Sequence, residues 1–340
     1  MTPRRHHASA DPHPDPFAER ARVRAPVSRQ LLGGRFHFES SSAELLSLVH
    51  WAYGGLPEHA FTKRSPHFTV RLVLNGAGPQ ARRGARPPEL TLMGGAGVLG
   101  GVSGAASFVA LSPEAGGALV AVSGAMLKYP YHVRYELLEF AVFTLAARAQ
   151  RLTPLHAACV SLHDRGLLLM GASGGGKSTL ALHCLLRQLD FVSEDAVFVT
   201  PGLRATGVAN FLHVRPDSLR WLSKQQAQMI STSPSIRRRS GVRKFEVDLR
   251  REHYRLAARP PRLSAVVFLS ARPGGRTLLR PLSGADARAR LWAAQPYAAA
   301  QSTWNPFVSS MQELGGFELR RGRHPQEGAE ILHELLAGSQ

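Results

Sequence analysis

Cysteine is almost missing from this 340-residue chain, which has only Cys159 and Cys184. No CxxC pair and no Cys/His spacing of a zinc site occurs. A disulfide framework and a cysteine-held metal are therefore excluded as organising principles, and a reducing, cytoplasmic setting is expected. Acidic residues are scarce as well: 24 Asp and Glu stand against 42 Lys and Arg, a formal net charge of +18. Such an excess attracts nucleic acid, anionic membranes or acidic proteins. Here the arginines are spread along the whole chain, so nucleic acid is not the expected partner. Long charge-free apolar runs are also lacking. The most apolar stretch, residues 131–152, contains Arg134, Glu136, Glu139, Arg148 and Arg151, which a membrane span would not carry. The first residues are rich in Pro, His and Arg and lack the apolar region of a secretion signal, so none is expected.

What is present supports a packed protein. Hydrophobic residues make up 44% of the chain, and the length suggests two domains and a tail. The expected organisation is a flexible tail over 1–28, an α+β domain over 29–130 and a larger α/β domain over 131–340. In the first half, Ala43–Tyr53 has helical spacing, with Leu45, Leu46, Val49, Trp51 and Ala52 on one side. Residues 68–74 alternate as a strand, 80–88 read as a polar loop, and 90–93, 107–111 and 119–123 read as short strands. Nothing catalytic stands out there. In the second half, 131–152 reads as one helix, with Pro154 marking its break. Strands are expected at 155–162, 167–170, 191–192, 197–199, 210–214 and 265–269. Helices are expected at 177–189, 285–294 and 327–336, and an edge strand at 317–319.

The most informative segment is Gly171-Ala172-Ser173-Gly174-Gly175-Gly176-Lys177-Ser178-Thr179. It fits the phosphate-loop pattern GxxxxGK[ST], with an apolar strand before it and an apolar helix after it. Glycines let successive backbone N–H groups turn inward around phosphate oxygens, and the helix start adds its positive dipole end. Lys177 is expected to reach the β and γ phosphates, Ser178 to ligate Mg²⁺, and Thr179 to contact a nearer phosphate. ATP and Mg²⁺ are the expected cofactors. The plain alternative is a glycine-rich turn without a ligand.

Such a loop needs a carboxylate near its metal. Residues 265–269 end without an acid, whereas 191–192 run into Ser193-Glu194-Asp195, which can lie beside the loop strand. Neighbouring residues of a regular strand face opposite ways, so Glu194 and Asp195 can both face the phosphates only where the strand ends or bends. One acid would accept the proton of an attacking hydroxyl and the other would serve the metal; the order stays open. The plain alternative is an acidic turn.

The stretch from Leu155-His156-Ala157-Ala158 through the loop to Phe191-Val192-Ser193-Glu194-Asp195-Ala196-Val197 resembles the HPr kinase/phosphorylase superfamily, in particular its serine-kinase-like relatives. The likeness spans about residues 130–340. It implies a phosphate-loop kinase fold behind a smaller N-terminal α+β domain. The implied activity is ATP- and Mg²⁺-dependent phosphorylation of a Ser/Thr hydroxyl on a protein or peptide. The implied site comprises His156 near the phosphates, Lys177 and Ser178 on nucleotide and metal, and Glu194 and Asp195 at the family's acid pair. Read without the resemblance, His156 is a core histidine. The glycine-rich, acid-containing segment that this family uses after the acid pair is absent, and Val208 to Pro216 stand in its place. That puts the phosphorolytic reaction and HPr as substrate in doubt.

A small-molecule kinase and a nucleotide-switched binding protein are the alternatives. An open groove beside Ser193 would suit a peptide, a closed pocket a metabolite. The basic run Ile236-Arg237-Arg238-Arg239-Ser240-Gly241-Val242-Arg243-Lys244 reads either as an arm for phosphate or an acidic peptide, or as a solvated loop. The sequence is compatible with a homo-oligomer.

Overall fold

The computed structural model describes residues 25–76, 86–251, 254–270 and 274–338. Most of the expected tail and residues 80–85 of the expected loop lie outside these. The chain forms a mixed α/β structure built on two large sheets and two small ones. Among the described residues no helix is long and apolar enough to cross a membrane.

The first large sheet has seven strands, in the order Val27–Leu31, Gly34–Ser40, His67–Asn75, Gly117–Ser123, Ser107–Ser112, Val98–Ser103, Leu90–Gly95. Its inner face is set by alternation. Phe36 and Phe38, Val70 and Leu72, Val120 and Val122 all point the same way and are buried. The helix Ala43–Tyr53 covers them with Leu45, Val49, Ala52 and Tyr53, after Ser42 caps its first turn by accepting from the Leu45 N–H. The strands Val27–Leu31, Gly34–Ser40 and Val98–Ser103 were not expected, because glycine and polar residues interrupt their apolar pattern.

The expected 131–152 helix is three pieces. Pro130–His132 opens it, Val133–Leu138 is π-helical, and Glu139–Gln150 is a regular α-helix ending at left-handed Arg151. The wide turn buries Val133, Arg134, Leu137 and Leu138 together. The α-helix then packs Val142 and Leu145 into the same core as the seven-stranded sheet.

The second large sheet has six strands, in the order Asp190–Ser193, Ala158–Leu162, Arg165–Met170, Arg262–Leu269, Gly315–Arg320, Leu278–Pro281. Arg165–Met170, Arg262–Leu269 and Gly315–Arg320 run parallel; the others are antiparallel additions. Helices cover both faces, which is why the central strands read as unbroken apolar runs. Leu167 and Leu169 meet the helices Lys177–Leu186 and Pro325–Ala337, while Leu168 and Met170 face Leu291, Trp304 and Phe307. Two expectations are corrected. Residues 317–319 are not at an edge: the short strand Leu278–Pro281, ending in proline where an edge tolerates it, pairs outside them. The expected 155–162 strand is split into Thr153–Leu155, which joins a small sheet with Val197–Val199, and Ala158–Leu162, leaving His156 at the break.

A small antiparallel sheet of Phe211–Val214, Arg243–Asp248 and Ser235–Arg237 lies between the two halves. Its register sets His213 opposite Glu246. Glu246 receives Arg134 from the π-helical turn: Nη2 donates at 3.0 and 2.8 Å to the two carboxylate oxygens, and both side chains are buried. The guanidinium lies over the Trp51 ring, 3.8 Å from its centroid. Removing one member of a buried pair leaves an uncompensated charge. Arg134→Met is therefore expected to cost about 3–5 kcal/mol, with much of the loss recovered in Arg134→Met/Glu246→Leu; urea unfolding of the two variants checks this.

Candidate functional site

The strand Arg165–Met170 delivers the chain into Gly171, and the helix Lys177–Leu186 takes it away. The turn between them is closed by the Gly175 N–H donating to the Ala172 carbonyl at 2.9 Å. Gly174 and Gly176 have φ of 75° and 94°, a region where side chains are strained. Ala172, Ser173 and Gly174 are exposed, whereas Lys177 is buried and directed back along the loop. Its Nζ donates to the carbonyls of Gly171 at 2.7 Å and Ala172 at 3.3 Å, and lies 3.4 Å from His156 Nε2.

The strand Asp190–Ser193 does not pair with the loop strand. Ala158–Leu162 lies between them. The strand ends at Ser193 after an irregular step, so the chain bends at Glu194 and Asp195 and both acids reach the loop side. The two carboxylates divide the space. Glu194, 4% exposed, takes a hydrogen bond from the Ser178 hydroxyl on Oε1. Its Oε2 accepts from the His213 backbone N–H at 2.7 Å and from His213 Nδ1 at 3.0 Å. Asp195 is half-buried and pairs with the Arg238 guanidinium.

The histidines have opposite characters. A carbonyl can only accept, so the 3.2 Å contact between His156 Nδ1 and the Asp195 carbonyl places the proton on Nδ1 and leaves Nε2 to accept from Lys177. Burial, with Lys177 beside it, lowers the His156 pKa and keeps the ring neutral. Burial would also lower His213, but its contacts to Glu194 and, at 3.5 Å, Glu246 outweigh this and push it up to about 9. His213 is therefore an imidazolium. For Asp195, burial would raise the carboxyl, yet Arg238, with Lys244 and His213 further off, holds it down at about 2. Burial lowers Lys177, and Asp195 and Glu194 partly restore it.

Glu194, Asp195 and His213 present ligand atoms within 4.8 Å of one another. His213 turns Nδ1 to Glu194 and Nε2 towards Glu246. The Ser178 hydroxyl and the carboxylate oxygens are hard ligands of the kind Mg²⁺ takes, so the oxygen set fits that ion. Thr179 is engaged with the Ser218 hydroxyl at 2.9 Å.

Several participants escaped the sequence reading. His213 and Lys244 come from the small sheet and Arg238 from the turn that joins two of its strands, and only the basic run hinted at two of them. Gln295 grips the backbone of His156 from both sides: it accepts from its N–H at 2.8 Å and donates to its carbonyl at 2.9 Å. No signal in the sequence singles it out.

Two cavities flank the loop. One, of about 500 Å³, lies against Gly174, Gly176 and Thr179 and is rimmed by Arg215, Trp221 and Arg321. The other, of about 720 Å³, reaches His156 and Asp195 and is walled by Phe140, Phe143 and Phe198.

No family model and no curated protein matches the chain. Among solved structures, the HPr(Ser) kinase/phosphatase from Coxiella burnetii is similar over 54% of this chain and 88% of that chain, with 14% identity and a TM-score of 0.27. That is a distant structural relationship and carries no inference about chemistry.

Glu139 lines the larger cavity, and burial pushes its carboxyl up to about 8, with Arg134 and His213 countering and Asp195 and Glu246 adding. A carboxyl whose folded pKa exceeds its ordinary value binds its proton more tightly when folded, so stability falls as pH rises from 4.5 towards 8. Glu139→Gln removes this proton linkage. Melting temperatures measured across that window are expected to fall less steeply in the variant than in wild type.

Proposed function

We propose that this chain is an ATP- and Mg²⁺-dependent kinase that transfers the γ-phosphoryl group to a Ser/Thr hydroxyl of a protein or peptide. One observation carries the reading. The acid pair that follows Ser193 meets the glycine loop with its lysine and hydroxyl: Lys177 folds back onto the loop, Glu194 binds Ser178, and the Asp195 backbone carbonyl meets His156 beside Lys177. The distant structural neighbour, titled a kinase/phosphatase, adds no weight at its level of similarity.

In this reading the loop N–H groups and the Lys177 amine receive the ATP phosphates. Ser178 and the Glu194 oxygen that now accepts from it would hold Mg²⁺, which would supply neutralisation of phosphate charge. The acceptor oxygen bonds to the γ-phosphorus as the bond from that phosphorus to the β–γ bridging oxygen breaks. ADP leaves, and the hydroxyl proton passes to Asp195. A carboxylate held at about 2 is a weak base. Arg238 therefore turns from Asp195 to the γ-phosphoryl group when ATP binds, freeing the base and neutralising the transferred group in one movement. Neutral His156 directs its Nε2 towards Lys177 and fixes the ammonium.

The acceptor side favours a peptide over a small metabolite. The cavity at Asp195 has exposed rim residues, Leu92 at 59% and Tyr297 at 69%, and so forms a groove rather than a closed pocket. The Arg238–Asp195 pair supports a second reading, a nucleotide-switched binding protein in which the acid never serves as base.

Incubation with labelled ATP, Mg²⁺ and candidate acceptors separates these. Lys177→Ala should weaken ATP binding and transfer together. Asp195→Asn should retain ATP binding and lose at least about a hundredfold in transfer. Undiminished transfer in both variants would overturn the mechanism, and tight ATP binding by wild type with no transfer to any acceptor would favour the switch.

A further inference from the structure

The larger cavity holds features that the phosphate chemistry does not use. It is bounded by the helix Glu139–Gln150, by Leu90 and Leu92 of the outermost strand of the seven-stranded sheet, and by the segment around Pro296 and Tyr297. It therefore lies where the N-terminal half meets the catalytic half. Its wall is aromatic: Phe140 and Phe143 come from the helix, and Phe198 meets Phe143 edge-on at 4.9 Å between centroids. A wide, solvent-reached apolar wall of this kind is costly to leave uncovered, which marks it as a binding surface.

Three carboxyl groups line the same cavity, and they are not equivalent. Asp195 is paired with Arg238, and Glu136 with Arg239 and His132. Glu139 makes neither a hydrogen bond nor an ion pair with another described residue; burial favours its protonated form, and Arg134 and His213 counter this only from a distance, so an arriving cation would complete the ion pair. An unpartnered carboxyl among phenylalanines costs stability unless something binds it. An occupant that offers a donor to Glu139 and apolar surface to the aromatic wall satisfies both features.

We propose that this cavity is the acceptor site and selects a peptide whose phosphorylated Ser or Thr is flanked by an apolar or aromatic residue, which packs on Phe140 and Phe143, and by a basic residue, which Glu139 receives. The assignment rests on the kinase reading for its placement of the hydroxyl at Asp195, while the selectivity belongs to the groove itself. The order along the groove follows from its lining: hydroxyl at the His156 and Asp195 end, cation at Glu139, apolar side chain on the phenylalanines. Leu92 and Tyr297 form the rim and extend the apolar contact. Both are largely exposed, so charged replacements there leave the core intact.

The test uses the full chain and fluorescent synthetic serine peptides in sets that differ only in the flanks: Phe with Lys, Phe with Glu, Asp with Lys, and Asp with Glu. Binding by fluorescence polarisation and transfer from ATP are measured separately. The Phe/Lys peptide should bind and react best. Leu92→Asp and Tyr297→Asp should each raise its Kd and KM roughly tenfold while ATP affinity stays unchanged. Glu139→Leu should abolish the preference for Lys over Glu but keep that for Phe over Asp. If peptides bind with this preference and no phosphate is transferred, the groove assignment stands and the kinase reading falls. If transfer occurs without regard to the flanks or to the rim variants, the groove assignment falls and the kinase reading stands. Absence of both binding and transfer overturns both.

Discussion

A buried line of alternating charge governs this structure. Arg134 binds Glu246, Glu246 faces His213, His213 donates twice to Glu194, and Glu194 accepts from Ser178 at the start of the loop helix. Each charge is out of water and is tolerable only because the next has the opposite sign. The line begins in the π-helical turn that packs on the N-terminal sheet, and it ends at the loop. The first half is thereby tied to the geometry of the second. Neighbouring staples reinforce this tie. Asn210 donates to the Ala52 carbonyl at 2.6 Å, and Arg250 donates to the carbonyls of Trp51 and Gly54, each at 2.8 Å.

The same line separates the roles of the two acids. Both hydrogen bonds from His213 fall on one oxygen of Glu194. The other oxygen remains for Ser178, with Lys244 at 3.8 Å. A carboxylate so committed can offer a metal one oxygen and cannot turn to meet an acceptor. Asp195, one residue on, is outside the line and opens onto the aromatic groove. The bend after Ser193 is what allows this split, because on a continuous strand one of the two acids would face the core.

Much of this was legible from sequence, and the reason differs by element. The central strands announced themselves because both faces are covered, so residues 167–170 and 265–269 carry apolar side chains at every position. The helix Ala43–Tyr53 showed its stripe because its other side meets water. The loop was legible because its glycines and Lys177 serve local geometry within nine consecutive residues. The strands near residues 27–40 were not, since half their positions are polar or glycine, even though the two pair with each other across a tight turn. Arg134 read only as one of the charges that a membrane span would not carry, because only the fold supplies Glu246 and the Trp51 ring. His213 and Gln295 are contributed to the site by tertiary packing alone and no local pattern marks them, whereas Arg238 lies in the basic run.

The stretch from Val208 to Pro216 has a particular weight in the chemistry. The strand Phe211–Val214 lies there and sets His213, which burial would lower but its two glutamate neighbours raise to about 9, against Glu194. Its positive charge offsets part of the acid pair. Arg238 and Lys244 add positive charge beside Asp195 and Glu194. His213 and Lys244 from the small sheet and Arg238 from the turn between its strands thus bring three basic side chains to the two carboxylates.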